Sequence, residues 1–224
     1  MRIYKFGGAS VKDAAGVRNV TNVLKTMGTS QLGIVVSAMG KTTNALEDVI
    51  ASYEKNDNTY LKLIDDLHEQ HAAIVEELMQ PSDGGDEDSL SRFRESGITK
   101  DLKAIIESLK GELLRNKSRN YSFVYDQVVS HGELLSTRIV ASYLNACGIP
   151  VQWKDARQLI ATDSKYRDAT VDWQQTEKQI QTHCSDELFI TQGFIGSDEN
   201  GFTTTLGREG SDYTAAILAY SLNA

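Results

Sequence analysis

Cysteine and proline are scarce in this 224-residue chain, two of each. Cys147 and Cys184 form no CxxC pair and are too few for a disulfide framework, so a reducing cytoplasm is expected, with both thiols acting as small buried apolar groups. Two prolines exclude a long stiff linker. No apolar run approaches the ~18 residues a membrane span requires, and the opening "MRIYKFGGAS" reaches glycine too soon for a secretory signal. A soluble, unexported protein is the expectation. Positive charge is in deficit: 23 Lys and Arg face 31 Asp and Glu, a net charge of -8. That balance argues against nucleic-acid and anionic-membrane partners, although it leaves room for a local basic pocket. Metal-ligating patterns are missing as well. "HEQH" sets His68 and His71 three apart, whereas a zinc-protease helix spaces its histidines by four, so a solvated helix face without a metal is expected. The acidic stretch "QPSDGGDEDS" (80–89) lacks the ligand order of a calcium loop and reads as solvated loop.

What is present is an ordinary globular composition, 40% hydrophobic and 24% charged, enough for one large domain or two small ones. "RIYKF" reads as a buried strand that breaks at Gly7-Gly8 before a helix over roughly 11–27, capped by Ser10 or Asp13. "LGIVVSAM" is a second strand, and "TTNALEDVIASYE" a second helix. Strand, turn and helix in alternation predict an α/β fold with a mainly parallel sheet, its ligands at the carboxyl ends of the strands. The middle, about 55–120, reads as a helical excursion, with helices over 60–79 and 90–114 and the acidic loop between them. A further helix is expected over 125–146, then strands in "GIPVQWKDA", "LIATD" and "ELFITQGFIG", a helix in "VDWQQTEKQIQTHC", and a last helix capped by Ser211 or Asp212.

Four motifs carry chemistry. "KFGGAS" puts Lys5 at a strand end and Gly7, Gly8 and Ser10 at the following turn, where backbone N–H groups can approach a phosphate. The lysine precedes the glycines, so this is no Walker loop, and a plain tight turn explains it equally well. "SAMGKTTN" offers the hydroxyls of Ser37 and Thr43 as pocket lining, or as mere helix caps. In "SHGELLST", Glu133 stands among apolar neighbours and needs a cationic partner, while His131 reads as a hydrogen-bonded structural histidine. "TTTLGREGSDYTAA" is the most specific. Arg208 presents a fork suited to a carboxylate or phosphate, and Gly210, Ser211 and Asp212 open a helix N-terminus, a natural anion site.

Taken in series, these four motifs closely resemble the aspartate kinases of the amino-acid kinase family, over Lys5 to Ala216. The resemblance implies a three-layer αβα sandwich and phosphorylation of the side-chain carboxylate of L-aspartate by MgATP, giving 4-phospho-L-aspartate on the route to lysine, threonine and methionine. ATP and Mg2+ are thereby implied, together with a possible homo-oligomer. Lys5 and Asp212 would be catalytic, and Ser37, Thr43, Glu133, Arg208 and Ser211 would hold the amino acid. Lys5, Gly7, Gly8, Ser10 and Gly210 would lie along the phosphates, with no protein-held metal. Two departures stand inside the motifs: Ala9 where threonine is common, and Glu209 where glycine is common. A third is length. The nucleotide-binding half and the regulatory ACT domains of such kinases follow this segment, so residues 1–224 are expected to form one domain, the amino-acid-binding portion. The alternative is a catalytically silent amino-acid-binding or assembly module that works with another chain.

Overall fold

A computed structural model describes residues 1–81, 86–184 and 188–224. The central sheet contains β1 (Arg2–Phe6), β2 (Leu32–Val36), β3 (Gln152–Lys154) and β4 (Leu188–Gln192). All neighbours run parallel in the order β1-β2-β4-β3. Parallel strands need crossovers, and helices α1 (Ala14–Met27), α2 (Thr42–Glu54) and α6 (Tyr121–Ala146) lie along them. Side-chain alternation divides the core in two. Leu32, Ile34 and Val36 of β2, with Leu188 and Ile190 of β4, join α1, α2 and α6 on one face. Val35 and Phe189 point to the other face, against α7 (Trp173–His183) and α8 (Gly210–Ser221), where Ile180, Ile217 and Leu218 are buried. The result is a three-layer α/β sandwich. Two covered faces explain why every residue of β2 and β4 is buried.

Between α2 and α6 come α3 (Thr59–Leu78), α4 (Glu87–Glu95) and α5 (Ile98–Arg115). They extend the first core cluster through Ile64, Leu67, Phe93, Leu102 and Leu109. A small antiparallel hairpin, β5 (Ile195–Ser197) with β6 (Thr203–Thr205), sits beside the sheet against α6.

Several expectations are corrected. The helix predicted over 90–114 is two helices, because Gly97 takes a left-handed turn (φ 78°) between α4 and α5. Helix α6 starts four residues early, with Asn120 Oδ1 accepting from the Ser122 and Phe123 N–H groups. "ELFITQGFIG" is two strands divided at Gly193 and Phe194, the latter with φ 73°. "LIATD" makes only isolated bridges, Ala161 to Ser197 and Thr162 to Val171. Asp13, rather than Ser10, caps α1 by accepting from the Gly16 N–H. Neither Ser211 nor Asp212 caps α8, since Glu209 occupies that position in a left-handed conformation without a side-chain bond. Of the acidic stretch, 82–85 lie outside the described residues, while Asp86 caps α4 by accepting from the Ser89 N–H. His71 is buried rather than solvated, its ring bonded to the Leu67 carbonyl and 3.4 Å from Thr42 Oγ1. Cys184 is buried as expected, but Cys147 is only half-buried.

Candidate active site at the carboxyl end of the sheet

Strand direction sets the position of the site. β1 and β2 are parallel, so their carboxyl ends, with the turns after Phe6 and Val36, lie side by side. The second turn rises against the first: Ser37 N–H donates to Phe6 O, and Gly40 N–H to Gly8 O. A side chain at Gly8 would place its Cβ 2.5 Å from the Ala38 carbonyl oxygen, so only glycine permits this approach. Helix α6 closes the other side. Ser136 Oγ donates to Ser37 O at 2.7 Å, and Gln192 at the end of β4 bridges Thr137 Oγ1 and the Ala156 N–H.

Within this frame is a cavity of about 510 Å³. Its lining brings together Lys5, Gly8, Ser37, Thr43, Glu133, Arg208, Gly210, Ser211 and Asp212 from four separate segments of the chain. Gly7 and Ser10 are not in the lining. The chain enters a short 3-10 turn at Gly8–Val11, closed by Ser10 N–H to Gly7 O, and Ser10 is carried outward to solvent. The Gly210 N–H is taken by Gly207 O, which leaves Gly210 as lining rather than as a donor. Helix α2 has no side-chain cap, so Ser37 and Thr43 face the cavity without serving as helix caps.

Lys5 and Asp212 meet in the cavity lining. Lys5 Nζ stands 3.0 Å from Asp212 Oδ1 and 3.1 Å from Oδ2. Strand parity explains the contact, since Lys5 alternates with Tyr4 and Phe6 of the first core and faces α8, whose first turn carries Asp212. Glu133 is the electrostatic opposite. It is 3% exposed, its Oε2 has no hydrogen-bond partner, and burial pushes its carboxyl up to about 8. Such a group calls for a cation to occupy the space before it.

Further residues line the cavity that sequence patterning did not single out. Tyr125, one α6 stripe below Glu133, donates to Glu47 Oε1. Arg167 lies 4.5 Å over the Tyr125 ring, and Phe194 and Glu209 complete the wall. Asp126 stands behind this wall, buried, with Oδ2 accepting from the Arg167 and Thr205 N–H groups and Oδ1 from Thr205 Oγ1. A carboxylate in the apolar run of α6 was the one signal available for it. His131 behaves as a structural histidine: its Nδ1 bonds to Gln127 O, and burial pushes the ring down to about 4.

Among the described residues no group of three or more His, Cys, Asp or Glu could hold a metal ion, and no helix is long and apolar enough to cross a membrane. An anion-rich ligand with one cationic end suits the cavity: Arg208 and Lys5 offer positive charge, and Glu133 offers a buried carboxyl that a ligand cation would ionise.

Known proteins supply the comparison. The chain is 31% identical over 221 residues to the chloroplastic bifunctional aspartokinase/homoserine dehydrogenase 1 of Arabidopsis thaliana, covering 97% of this chain and 23% of that protein. The crystal structure of E. coli aspartokinase III with lysine and aspartate superposes with a TM-score of 0.81 at 31% identity, over 100% of this chain and 47% of that one. The same enzyme with aspartate and ADP gives a TM-score of 0.79, again at 31% identity over 100% of this chain and 47% of that one. The chain thus spans about half the length of E. coli aspartokinase III and about a quarter of the plant protein. The family model for the amino acid kinase family matches residues 1–224, and with this sheet and helical layering the chain belongs to the amino acid kinase family.

Proposed function

We propose that this chain is the amino-acid-binding part of an aspartate kinase, the part that positions L-aspartate for phosphoryl transfer from ATP. One observation carries the reading: Glu133, buried and with one carboxyl oxygen unpartnered, lines the same cavity as Arg208 and the Lys5–Asp212 pair. Free aspartate brings one ammonium and two carboxylates. Glu133 takes the ammonium, Arg208 takes the α-carboxylate, and the side-chain carboxylate is left directed at Lys5. Ser37 and Thr43 supply hydroxyls. That aspartokinase III of E. coli has been solved with aspartate, and with aspartate and ADP, supports both ligand classes.

In the reaction a side-chain carboxylate oxygen attacks the γ-phosphorus, the bond to the β–γ bridging oxygen breaks, and ADP leaves. No enzyme nucleophile and no proton transfer is needed, so rate comes from positioning and charge. Lys5 neutralises charge building on the transferring group, and Asp212 keeps its ammonium aimed. Asp212 is committed to Lys5, and among the described residues no cluster of carboxylates stands ready to hold an ion, so a Mg2+ ion would arrive on the nucleotide phosphates and would supply charge neutralisation there.

Calorimetry with L-aspartate and with MgATP, beside a coupled assay for aspartyl phosphate, tests the reading. Aspartate binding is expected, with turnover dependent on Lys5 wherever nucleotide also binds. Failure to bind aspartate overturns it. Aspartate binding without MgATP binding supports the partial-domain reading, and turnover dependent on Lys5 rules out the silent-module alternative.

A further inference from the structure

Arg167 is the one charged side chain of the cavity that stands on strained backbone without opening a helix. It occupies the left-handed region, φ 72°, where a residue with a Cβ is disfavoured, and such strain persists only where its surroundings hold it. Here they do. The Arg167 N–H donates to the buried Asp126 Oδ2 at 2.9 Å, and the guanidinium lies over the rings of Tyr125 (4.5 Å) and Tyr121 (5.4 Å). Its loop is also laid directly against the approach to Arg208. A Cβ at Gly207 would sit 3.4 Å from the Arg167 carbonyl oxygen and 3.0 Å from Asp168 Oδ1. Two arginines therefore enter one cavity from adjoining stretches of backbone.

Charge in the cavity points to a task for the second arginine. The lining carries Lys5, Arg167 and Arg208 against Glu133, Glu209 and Asp212. Lys5 and Asp212 satisfy each other. None of the described ion pairs includes Arg167, Arg208, Glu133 or Glu209. With the substrate ammonium at Glu133 and its α-carboxylate at Arg208, Glu209 and the substrate's side-chain carboxylate remain as anions in the cavity, beside the Lys5–Asp212 pair. Arg167 is the remaining cation of the lining, and its planar fork carries donors suited to a carboxylate.

We propose that Arg167 is a specificity-determining residue, a second guanidinium that shares the amino-acid substrate's α-carboxylate with Arg208 and offsets Glu209. This rests on the reading of the cavity as an aspartate site. The backbone strain provides a clean variant, because Arg167→Gly removes the side chain at a position whose geometry glycine prefers. Calorimetry with L-aspartate on Arg167→Gly is expected to show a loss of affinity of about tenfold or more, with a urea midpoint close to the parent's. Adding Glu209→Gly should recover most of the loss. Arg167→Asn, which tolerates the same backbone geometry, repeats the test if the glycine variant unfolds. Aspartate affinity indistinguishable from the parent's in Arg167→Gly or Arg167→Asn, while Arg208→Ala loses it, overturns the role of Arg167 alone. If the parent chain fails to bind, or if Arg208→Ala and Glu133→Gln also bind normally, the aspartate-site reading fails and the inference falls with it.

Discussion

Lys5 and Asp212, separated by 207 positions in the chain, form a two-oxygen ion pair at 3.0 and 3.1 Å. The Asp212 side chain is 62% exposed, so the pair contributes little to stability, at most about 1 kcal/mol. On the proposed reading its value lies in aim. Wherever the chain turns over with nucleotide, Lys5→Ala is then expected to lower phosphoryl transfer by about a hundredfold or more while leaving the urea midpoint nearly unchanged. A single-turnover assay beside an unfolding curve checks both halves. Activity retained in Lys5→Ala would remove it from the chemistry.

On the same reading, Glu133 is expected to make aspartate binding pH-dependent. Burial raises its carboxyl to about 8, so at pH 7 the empty site is mostly protonated. A bound ammonium favours the carboxylate, so L-aspartate binding should release close to one proton at pH 7 and almost none well above pH 8. Calorimetry in buffers of different ionisation enthalpy reads this directly, and zero release at pH 7 would contradict it. The same group shapes stability. The native state holds its proton to a higher pH than the unfolded chain does, so this contribution is complete below the ordinary glutamate range and is lost as pH rises through about 8. Glu133→Gln should flatten that slope and weaken aspartate binding.

Asp126 supports the wall of the cavity from behind. Asp126→Ala would strand the Thr205 N–H and hydroxyl in a buried place and remove the partner of the part-buried Arg167 N–H. Destabilisation of about 2–4 kcal/mol is expected from denaturant unfolding. A loss below about 1 kcal/mol would show that water replaces the carboxylate.

Gly8→Ala tests the meeting of the two turns. The added methyl would stand 2.5 Å from the Ala38 carbonyl oxygen, so the loop carrying Ser37 and Gly40 must move. The expected cost is about 1–3 kcal/mol, with aspartate affinity reduced as well. An unchanged melting temperature would mean that the loop yields freely.

The layered α/β architecture was legible because strands covered on both faces read as continuous apolar runs, as "LGIVV" and "LFIT" do. Boundaries were less legible. The break at Gly97 lies inside a stretch whose helical period continues on both sides, so periodicity alone does not register the turn. His71 was misread because a helix face becomes buried or solvated according to its neighbour, and α2 lies over it through Thr42. Of the candidate site, the charged members stood out by type, Lys5, Glu133, Arg208 and Asp212 among them. Arg167 and Asp126 did not, since neither belongs to a motif and their pairing joins α6 to a loop 41 positions away.

Sequence by itself determined which local pieces form and which chemical groups are available: alternating strands and helices, glycine turns, an acid in an apolar helix, and an arginine before a helix start. Only the tertiary structure decided which of those groups share a cavity. Parallel pairing brought the ends of β1 and β2 together, and strand parity turned Lys5 toward α8 and Asp212. It also moved Ser10 out of the lining and brought Arg167 in. The reason is physical. Local patterns report the interactions of neighbours along the chain, whereas burial, ion pairing and the raised carboxyl of Glu133 depend on atoms that only folding brings near.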